Sequence, residues 1–536
     1  MKLNNETILQ QSAALREKGY LLPAFDHAAV KANTAARPEW VHFGAGNIFR
    51  AFIAALNQEL LNSGRMDTGI IVAEGFDAEI LDAAYRPFDN LSVLATLCAD
   101  GRIRKTILGS VVNSLDMERG TEDWAQLEKA FCSPSLKMAS LTITEKGYNI
   151  ADGQGNYFPA VQSDMEQGPE KAGSYLGKIA ALCHARFAAG GAPIALVSMD
   201  NCSHNGSRLE SAVLAIADAW AERGLCRAGF TDYLRDKNAV SFPWSMIDKI
   251  TPRPDDSVRE MLEKDGLEDM GVRVTGRRSY VAPFVNAEEA QYLVVEDAFP
   301  NGRPPLDQAG VIFTSRDVVD MVETMKVCTC LNPLHTCLAV LGCLLGFERI
   351  SAEMQDEDLK KLVEIVGYQE GLPVVVDPGV ISPRAFIDEV IGKRFPNPFL
   401  QDTPQRIATD TSQKVGIRFG ETIKSYVAQG RDLNALVSIP LAIAGWMRYL
   451  LAVDDNLEPM EVSADPMKDE LQAKLAGIEV GKPETYKGQL REILSYPSIF
   501  GSDLCAAGLA DRIEQMFVEE LAGAGAVRAT LHKYIG

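Results

Sequence analysis

Residues 40–75 constrain the fold of this chain more than any other segment. An apolar strand pattern, WVHF (40–43), runs into a glycine turn, GAG (44–46), and a helical pattern, RAFIAALNQELLNSG (50–64), precedes a second strand, TGIIVAEG (68–75). Two strands joined through a helix form a βαβ unit, because parallel strands cannot be joined by a tight hairpin. The segment therefore predicts a parallel sheet with a glycine turn at its first crossover.

Later segments repeat the strand pattern, and helical patterns separate several of them. The strand candidates are LSVLATL (91–97), ASLTIT (139–144), PIALVSM (193–199) and QYLVVEDAF (291–299). This alternation favours a mostly parallel, doubly wound α/β sheet. After about residue 311 helical patterns dominate, at 315–326, 333–347, 355–366, 431–453, 486–494 and 510–533.

These patterns divide the chain into three regions. We expect a helical lead-in over residues 1–38, an α/β domain over 39–312 and a mostly α-helical domain over 313–536. The total of 536 residues is long enough for two or three domains with their own cores. A Pro-rich segment, PNGRPP (300–305), precedes the expected boundary.

The charge and the apolar segments exclude some classes of partner. The formal net charge is −20, so a nucleic-acid backbone would be repelled. The first residues, MKLNNETILQQSA, are polar and lack the apolar core of a signal peptide. The longest uninterrupted apolar-plus-glycine run, residues 337–347, is too short to span a bilayer. We therefore expect a cytoplasmic protein with no nucleic-acid or membrane partner, present as a monomer or small homo-oligomer.

The glycine turn is a candidate dinucleotide site. It lies between a strand and a helix, where backbone N–H groups can bind a pyrophosphate, and comprises Gly44, Ala45, Gly46 and Asn47. The third glycine of the usual fingerprint is replaced by Phe49. Glu74 ends the second strand and Asp77 follows three residues later, so either carboxylate could bind the ribose hydroxyls. A carboxylate there would repel a 2′-phosphate, which favours NAD over NADP.

Two polar residues follow the strand at 193–199. Asp200 and Asn201 lie at its carboxyl end, the edge at which open α/β sheets bind their ligands. The alternative is an Asx-turn pair that only terminates the strand.

A second polar group lies around the break between two apolar helices. Lys326 is expected to end the first helix, whereas Asn332 and Pro333 have the pattern of an N-cap and first helical residue, and His335 follows. This trio could supply a general base with hydrogen-bonding helpers. Alternatively, the lysine complements the helix dipole, Asn-Pro is an ordinary helix start and the histidine is structural.

Four of the ten cysteines lie near His335 and raise the question of a zinc site. They are Cys328, Cys330, Cys337 and Cys343. Structural zinc ligands usually come in closely spaced pairs on loops, but the last two cysteines lie six apart on an apolar helix. We therefore expect buried thiols and no metal site.

Seven motifs in order resemble the mannitol dehydrogenase family of polyol-specific long-chain dehydrogenases and hexuronate reductases. They span about residues 40–420 and read GAGNIFRAF, TITEKGY, SMDNCSHNG, FPWSMIDKITP, VVEDAFPNGRP, MKVCTCLNPLHT and RFPNPFLQDTPQRIATDTSQK. The resemblance implies a Rossmann-type NAD domain over residues 39–312, a mostly α-helical domain over 313–536, substrate between them and no metal.

The resemblance also implies roles for individual residues. Lys326 corresponds to the family's catalytic lysine, and Asn201 and Asn332 to its oxyanion-stabilising asparagines. The predicted cofactor-binding residues remain those at the strand ends, namely the glycine turn, Glu74, Asp77 and Asp200. Substrate-binding positions correspond to His335, Asp248, Arg406 and Lys414. In the family pattern the lysine and asparagine are five positions apart, whereas here they are six apart, so the CTC segment must absorb one residue or displace the lysine.

The expected reaction is metal-free hydride transfer between nicotinamide and a secondary alcohol carbon, with Lys326 moving the hydroxyl proton. We expect a keto-uronate/aldonate pair of the fructuronate/mannonate type, because the RFPNP and DTSQK stretches and the supply of cations favour a sugar acid. The cations are Lys249, Arg253, Arg406 and Lys414. A ketose/polyol pair, such as fructose and mannitol, is the alternative. A third hypothesis is an NAD-binding homologue inactivated by the altered lysine spacing.

Overall fold

The structure, a computed structural model, describes all 536 residues and divides into two compact units. The first comprises Met1–Cys98 and Arg102–Asp320, and the second comprises Ala99–Gly101 and Met321–Gly536. The expected lead-in, residues 1–38, belongs to the first unit. Strand residues 312–314 also belong to it, so the division falls eight residues after the expected boundary.

All fifteen strands lie in the first unit. They are β1 Tyr20–Leu21, β2 Trp40–Phe43, β3 Ile70–Glu74, β4 Ser92–Leu97, β5 Ile103–Leu108, β6 Val111–Asp116, β7 Met138–Leu141, β8 Ile194–Ser198, β9 Val240–Ser241, β10 Ser245–Asp248, β11 Arg273–Val274, β12 Tyr280–Val281, β13 Phe284–Glu288, β14 Tyr292–Glu296 and β15 Ile312–Thr314.

Twenty-four α-helices are distributed over both units. Those that begin in the first unit are α1 Asn5–Gln10, α2 Ser12–Glu17, α3 His27–Ala36, α4 Ala54–Asn62, α5 Glu79–Ala84, α6 Glu122–Cys132, α7 Pro159–Gln167, α8 Tyr175–Ala188, α9 Asn205–Glu222, α10 Phe230–Arg235, α11 Asp256–Lys264 and α12 Arg316–Met325. Those of the second unit are α13 Asn332–Leu344, α14 Ile350–Glu353, α15 Glu357–Glu364, α16 Pro383–Glu389, α17 Pro404–Ile407, α18 Glu421–Ala428, α19 Ser438–Tyr449, α20 Lys468–Lys474, α21 Leu490–Leu494, α22 Pro497–Phe500, α23 Ala510–Glu520 and α24 Ala526–Ile535.

Five π-helical turns and eight 3₁₀ turns complete the secondary structure. The π-turns are Phe49–Ile53, Lys326–Cys330, Ile365–Gly371, Val390–Arg394 and Gly416–Gly420. The 3₁₀ turns are Arg86–Phe88, Glu145–Tyr148, Pro169–Lys171, Leu306–Ala309, Leu372–Val374, Thr411–Gln413, Leu433–Ala435 and Pro483–Thr485.

The central sheet of the first unit confirms the doubly wound prediction. Its six strands are all parallel and lie in the order β6-β3-β2-β7-β8-β9. Counted along the chain this order is 3-2-1-4-5-6, the Rossmann arrangement. Alternate strand residues enter separate cores on the two faces of the sheet, with Val41, Phe43, Ile194 and Leu196 on one face and Trp40, Ala195 and Val197 on the other. Helices therefore cover both faces, as a parallel sheet requires.

Two strand candidates form, but outside this sheet. Residues 91–97 become β4, which pairs antiparallel with β5 and parallel with β13 in a four-stranded sheet. The place beside β3 belongs to β6, a strand that the sequence patterns did not reveal. Residues 291–299 yield β14, which pairs antiparallel with β10. An apolar run identifies a buried strand but not its sheet, because pairing depends on distant segments.

The lead-in adds an edge strand to the first unit. β1 pairs parallel with β5 in the four-stranded sheet. The Tyr20 hydroxyl donates to Asp265 Oδ2 at 2.9 Å, and Lys105 Nζ approaches the same oxygen at 2.6 Å. Residues 1–38 thus fasten this sheet to the loop after α11.

The second unit contains α-helices around an apolar core, as predicted. The helices expected near 431–453 and 510–533 are shorter than the patterns suggested. The latter splits into α23 and α24, because Gly523 (φ +141°) and Gly525 (φ +75°) interrupt it. One helical stretch, Arg316–Leu344, is long and apolar enough to cross a bilayer, but 78% of its apolar window is buried within the protein, as in a core helix.

Candidate active site

The glycine turn at the end of β2 requires glycine at its first position. Gly44 has φ +104°, and a Cβ there would lie 2.2 Å from the Thr142 carbonyl oxygen. Gly46 differs, because its φ is ordinary and a Cβ would meet nothing within 4 Å. The turn therefore packs closely against β7 on one side and leaves open space at Gly46.

Three side chains hold this turn. Glu74 Oε2 accepts the Ala45 backbone N–H at 2.7 Å, and the Tyr85 hydroxyl donates to the Ala45 carbonyl at 2.8 Å. The buried Arg50 guanidinium donates to Asn47 Oδ1 at 2.8 Å. The helix begins at Asn47, so its first turn presents backbone N–H groups at the carboxyl end of β2. This arrangement is suited to a phosphate group.

Both predicted ribose-binding carboxylates are buried, but their partners differ. Glu74 Oε1 accepts the backbone N–H groups of Phe76 and Asp77, so both Glu74 oxygens already serve the loop. Asp77 Oδ2 accepts the Thr275 hydroxyl at 2.6 Å, whereas Asp77 Oδ1 is buried without a partner. Asp77 Oδ1 is therefore an acceptor that the protein itself leaves unsatisfied. Thr275 lies 198 positions from Asp77 along the chain, and no sequence pattern connected the two.

Asp200 joins the ends of β7 and β8. Its carboxylate accepts the backbone N–H groups of Ile143 and Thr144, at 2.8 and 2.9 Å, and the Tyr148 hydroxyl at 2.6 Å. Burial raises the pKa of Asp200, and these hydrogen bonds oppose that shift. Asp200 thus fixes the TITEKGY loop, and the adjacent Asn201 is exposed at the same edge of the sheet.

Two buried residues of this edge had no role in the sequence analysis. Asn205 Nδ2 donates to the carbonyl oxygens of Asp200 and Ser245 and so connects β8 with β10. His42 lies between the hydroxyls of Ser140 and Thr142, at 2.6 and 2.9 Å. Burial lowers the pKa of His42 to about 3, so the ring is neutral at physiological pH.

The remaining candidates of the first unit lie around β10. Asp248 is the buried last residue of this strand and is paired with Tyr292 of β14. Lys249 Nζ donates to the Glu288 carbonyl at 2.8 Å, and the Arg253 guanidinium lies 4.3 Å from the centroid of the Tyr280 ring. Both cations therefore have partners within the first unit.

In the second unit, the prediction that Lys326 ends a helix is wrong. This lysine follows α12 directly and begins a π-turn that continues to Cys330, in which Leu331 N–H donates to the Lys326 carbonyl at 3.1 Å. A π-turn contains one residue more than an α-turn, so its geometry has room for one additional residue before Asn332. Lys326 is buried, with 4% of its surface exposed.

Asn332 lies one position further into its helix than expected. Leu331 is the N-cap residue of α13, so Asn332 is the first helical residue and its side chain caps nothing. The Thr336 hydroxyl donates to the Asn332 carbonyl at 2.9 Å. The helix therefore begins one residue before the start that the Asn-Pro pattern indicated.

His335 presents an unoccupied hydrogen-bonding nitrogen. Its ring stacks on Phe395 at 4.9 Å, and its Nε2 is buried without a hydrogen-bond partner, 3.8 Å from Asp402 Oδ2. Burial lowers the pKa of His335 to about 4; Asp402 opposes this shift, and Arg406, Arg418 and Arg394 add to it. The neutral ring can therefore exchange a hydrogen bond with a bound hydroxyl.

The predicted cations of the second unit are both engaged. Arg406 forms an ion pair with Asp402, which thereby lies between Arg406 and His335. Lys414 Nζ donates to the Thr409 carbonyl, and burial lowers the pKa of Lys414. Two further arginines near His335, Arg394 and Arg418, were not identified from the sequence.

The cysteine cluster consists of free thiols. Cys330, Cys337 and Cys343 are buried, and burial raises the pKa of Cys330 and Cys343 to about 12. No group of three or more His, Cys, Asp or Glu side chains is arranged to hold a metal ion.

Each unit thus assembles one group of the candidate residues. At the carboxyl edge of the parallel sheet the first unit brings together the glycine turn, Glu74, Asp77 and Asp200. The second unit brings together Lys326, Asn332 and His335 across one helix break, with Arg406 and Lys414 on the segment that packs against α13.

Comparison with known proteins identifies both units. The mannitol dehydrogenase Rossmann domain matches residues 38–308, and the mannitol dehydrogenase C-terminal domain matches residues 318–520. The D-mannonate oxidoreductase of Thermotoga maritima is 51% identical over 539 aligned residues, covering 100% of this chain and 99% of the relative.

Two solved structures share the fold over nearly the whole chain. D-sorbitol dehydrogenase in substrate-free form is 26% identical with a TM-score of 0.78, covering 96% of this chain and 97% of its own. Pseudomonas fluorescens mannitol 2-dehydrogenase, in a ternary complex with NAD and D-mannitol, is 26% identical with a TM-score of 0.67, covering 99% of both chains. This chain therefore belongs to the mannitol dehydrogenase family.

Proposed function

We propose that this protein is an NAD-dependent oxidoreductase that interconverts a keto-uronate and an aldonate of the fructuronate/mannonate type, without a metal ion. The observation that carries the proposal is the 51% identity to a D-mannonate oxidoreductase over the full length of both proteins. Of the arginines near His335, Arg418 has no carboxylate within ion-pair distance, which supports a substrate that carries a carboxylate.

The first unit has features that suit NAD. The open space at Gly46 and the first helical turn from Asn47 would receive the pyrophosphate, and the free oxygen of Asp77 would accept a ribose hydroxyl. When bound, NAD supplies the nicotinamide carbon that accepts or delivers the hydride. Because Glu74 already accepts three backbone N–H groups, Asp77 is the better candidate for the ribose.

Lys326 would move the proton of the reacting hydroxyl. In alcohol oxidation its uncharged amine removes that proton, and in ketone reduction its ammonium returns it. Asn332 and Asn201 would donate hydrogen bonds to the oxygen as negative charge develops on it. Nε2 of the neutral His335 would hold a neighbouring hydroxyl and so orient the substrate carbon.

The substrate assay follows NADH absorbance with fructuronate, tagaturonate, fructose and xylulose. Rapid oxidation of NADH with a keto-uronate only is the expected result. Rapid oxidation of NADH with fructose or xylulose only would indicate a ketose/polyol dehydrogenase instead. The Pseudomonas relative is named for such an activity, as a mannitol 2-dehydrogenase. NADH binding without turnover on all four substrates would indicate an inactive homologue.

The setting of the activity is also part of the proposal. We infer that the protein acts in the cytoplasm on a small sugar acid, as a monomer or a small homo-oligomer, and that nucleic acid is not a partner at a net charge of −20. Sedimentation with and without NADH measures the oligomeric state directly.

A further inference from the structure

Arg418 lies on a closely packed π-turn, Gly416–Gly420, of the second unit. A Cβ at Gly420 would lie 2.0 Å from the Phe500 carbonyl oxygen, and a Cβ at Gly416 would lie 2.7 Å from the Ile499 carbonyl oxygen. The same turn packs against the π-turn that begins at Lys326 and against α13. The backbone that carries Arg418 is therefore held in place from several sides.

The guanidinium of Arg418 lacks a counter-charge. It makes one hydrogen bond, from Nη1 to Thr336 Oγ1 at 2.6 Å, and no carboxylate lies within ion-pair distance. Burial lowers the pKa of Arg418 to about 10, and no neighbouring carboxylate offsets the shift. Arg418 is half-buried, and a charge withdrawn from water without a counter-charge is costly. A bound carboxylate would supply the opposite charge.

The position of Arg418 points to the substrate. Its partner Thr336 follows His335 directly and donates to the Asn332 carbonyl, so Arg418 is one side chain away from two predicted substrate contacts. Arg406, by comparison, is neutralised by Asp402, and Lys414 Nζ is bound to the Thr409 carbonyl. Among these three cations, Arg418 is therefore the best placed to pair with a negatively charged ligand.

We propose that Arg418 binds the carboxylate of the sugar acid and sets the preference of this site for keto-uronates over neutral ketoses. The inference rests on the proposed function and names the group that recognises its substrate. A guanidinium can donate two parallel hydrogen bonds to a carboxylate, which fixes the orientation of the sugar as well as its affinity.

A purely structural role for Arg418 makes a different prediction. If the guanidinium only anchors Thr336, its loss disturbs α13 and impairs all substrates alike. Thr336→Val is the matched variant for this reading, because it removes the hydrogen bond and keeps the charge. Arg431→Gln is the control for surface charge, since Arg431 is exposed and bonds to Gln429.

The experiment measures kcat/KM with NADH for fructuronate and fructose in the wild type and these variants. Arg418→Gln should lose about 100-fold or more on fructuronate, mainly through KM, and less than about threefold on fructose. The kcat/KM of Arg418→Lys on fructuronate should lie between those of the wild type and Arg418→Gln, because lysine keeps the charge and loses the paired donors. Thr336→Val should change both substrates by similar small factors, and Arg431→Gln should change neither. Thermal unfolding of each variant verifies that it folds.

A binding measurement separates this inference from the proposed function. Calorimetric titration of D-mannonate into the protein with NADH present needs no turnover, and the wild type should bind about 100-fold more tightly than Arg418→Gln. Wild type that binds mannonate through Arg418 but fails to reduce fructuronate would refute the proposed function only. Equal losses on both substrates, unchanged kinetics in Arg418→Gln, or mannonate binding that is absent or independent of Arg418 would overturn the role of Arg418.

Discussion

Alanine substitutions at Gly44 and Gly46, in the turn after β2, should have separate effects, one on stability and the other on cofactor affinity. At Gly44 the added Cβ would lie 2.2 Å from the Thr142 carbonyl oxygen, well inside the 3.4 Å at which ordinary contact begins. Overpacking of this kind costs about 1–3 kcal/mol. Alanine at φ +104° adds roughly 1–2 kcal/mol of backbone strain. Gly44→Ala should therefore lower the free energy of unfolding by about 2–5 kcal/mol.

Gly46→Ala is the matched variant with the opposite expectation. Its Cβ would meet no protein atom within 4 Å at an ordinary φ, so stability should stay within about 0.5 kcal/mol of the wild type. The same Cβ would occupy the space proposed for the pyrophosphate, so NADH affinity should fall about tenfold or more.

Two assays read these outcomes. Urea denaturation followed by tryptophan fluorescence reports mainly on the first unit, which contains four of the five tryptophans. Titration of NADH fluorescence gives the Kd. Wild-type NADH affinity in Gly46→Ala would refute the reasoning about the cofactor, and wild-type stability in Gly44→Ala would refute the packing described between the turn and β7.

Three further predictions concern catalysis, packing and pH. Lys326→Ala should reduce kcat by about 10²-fold or more with NADH affinity unchanged, and unchanged turnover would remove the lysine from the mechanism. Glu370→Ala should destabilise the second unit by about 2–4 kcal/mol, because the buried carboxylate accepts three backbone N–H groups at the start of α19. The donors are Val437, Ser438 and Ile439, and the fluorescence of Trp446, in the same unit, measures the loss. Between pH 6.5 and about 3 the unfolded chain binds a proton at His42 that the folded chain does not, so the free energy of unfolding falls with falling pH by up to about 1.4 kcal/mol per pH unit. Urea titrations at several pH values should show that His42→Gln removes this part of the pH dependence.

The sequence predicted what depends on local patterns. The βαβ unit at residues 40–74, the doubly wound sheet and the helical second unit are all present, because strand and helix periodicity and a turn glycine are properties of neighbouring residues. The position of β4 in a separate sheet was not predictable from its own residues. Its six side chains are all buried, as in the strands of the parallel sheet, and only its pairing with β5 and β13 distinguishes it.

The candidate site shows the same limit at the level of single residues. The end of the second strand directed attention to Asp77 and a family motif to His335, and the structure shows that each has a buried polar atom without a partner. Thr275 and Arg418 were missed, since their partners are distant along the chain. Thr275 bonds to Asp77 from 198 positions away, and Arg418 bonds to Thr336, the neighbour of His335, from 82 positions away. Glu74 shows the converse case, because its position at the end of β3 suggested the ribose while its oxygens bind backbone N–H groups.

The π-turn at Lys326–Cys330 has a consequence for how this family tolerates insertions and deletions. Removing one residue from a π-turn leaves an ordinary α-turn. A chain one residue shorter here could therefore keep the same faces of α12 and α13 directed into the core. Length differences among relatives should therefore concentrate between Val327 and Leu331, where they change the width of one turn. The same difference inside α13 would rotate every core side chain beyond it by about 100°.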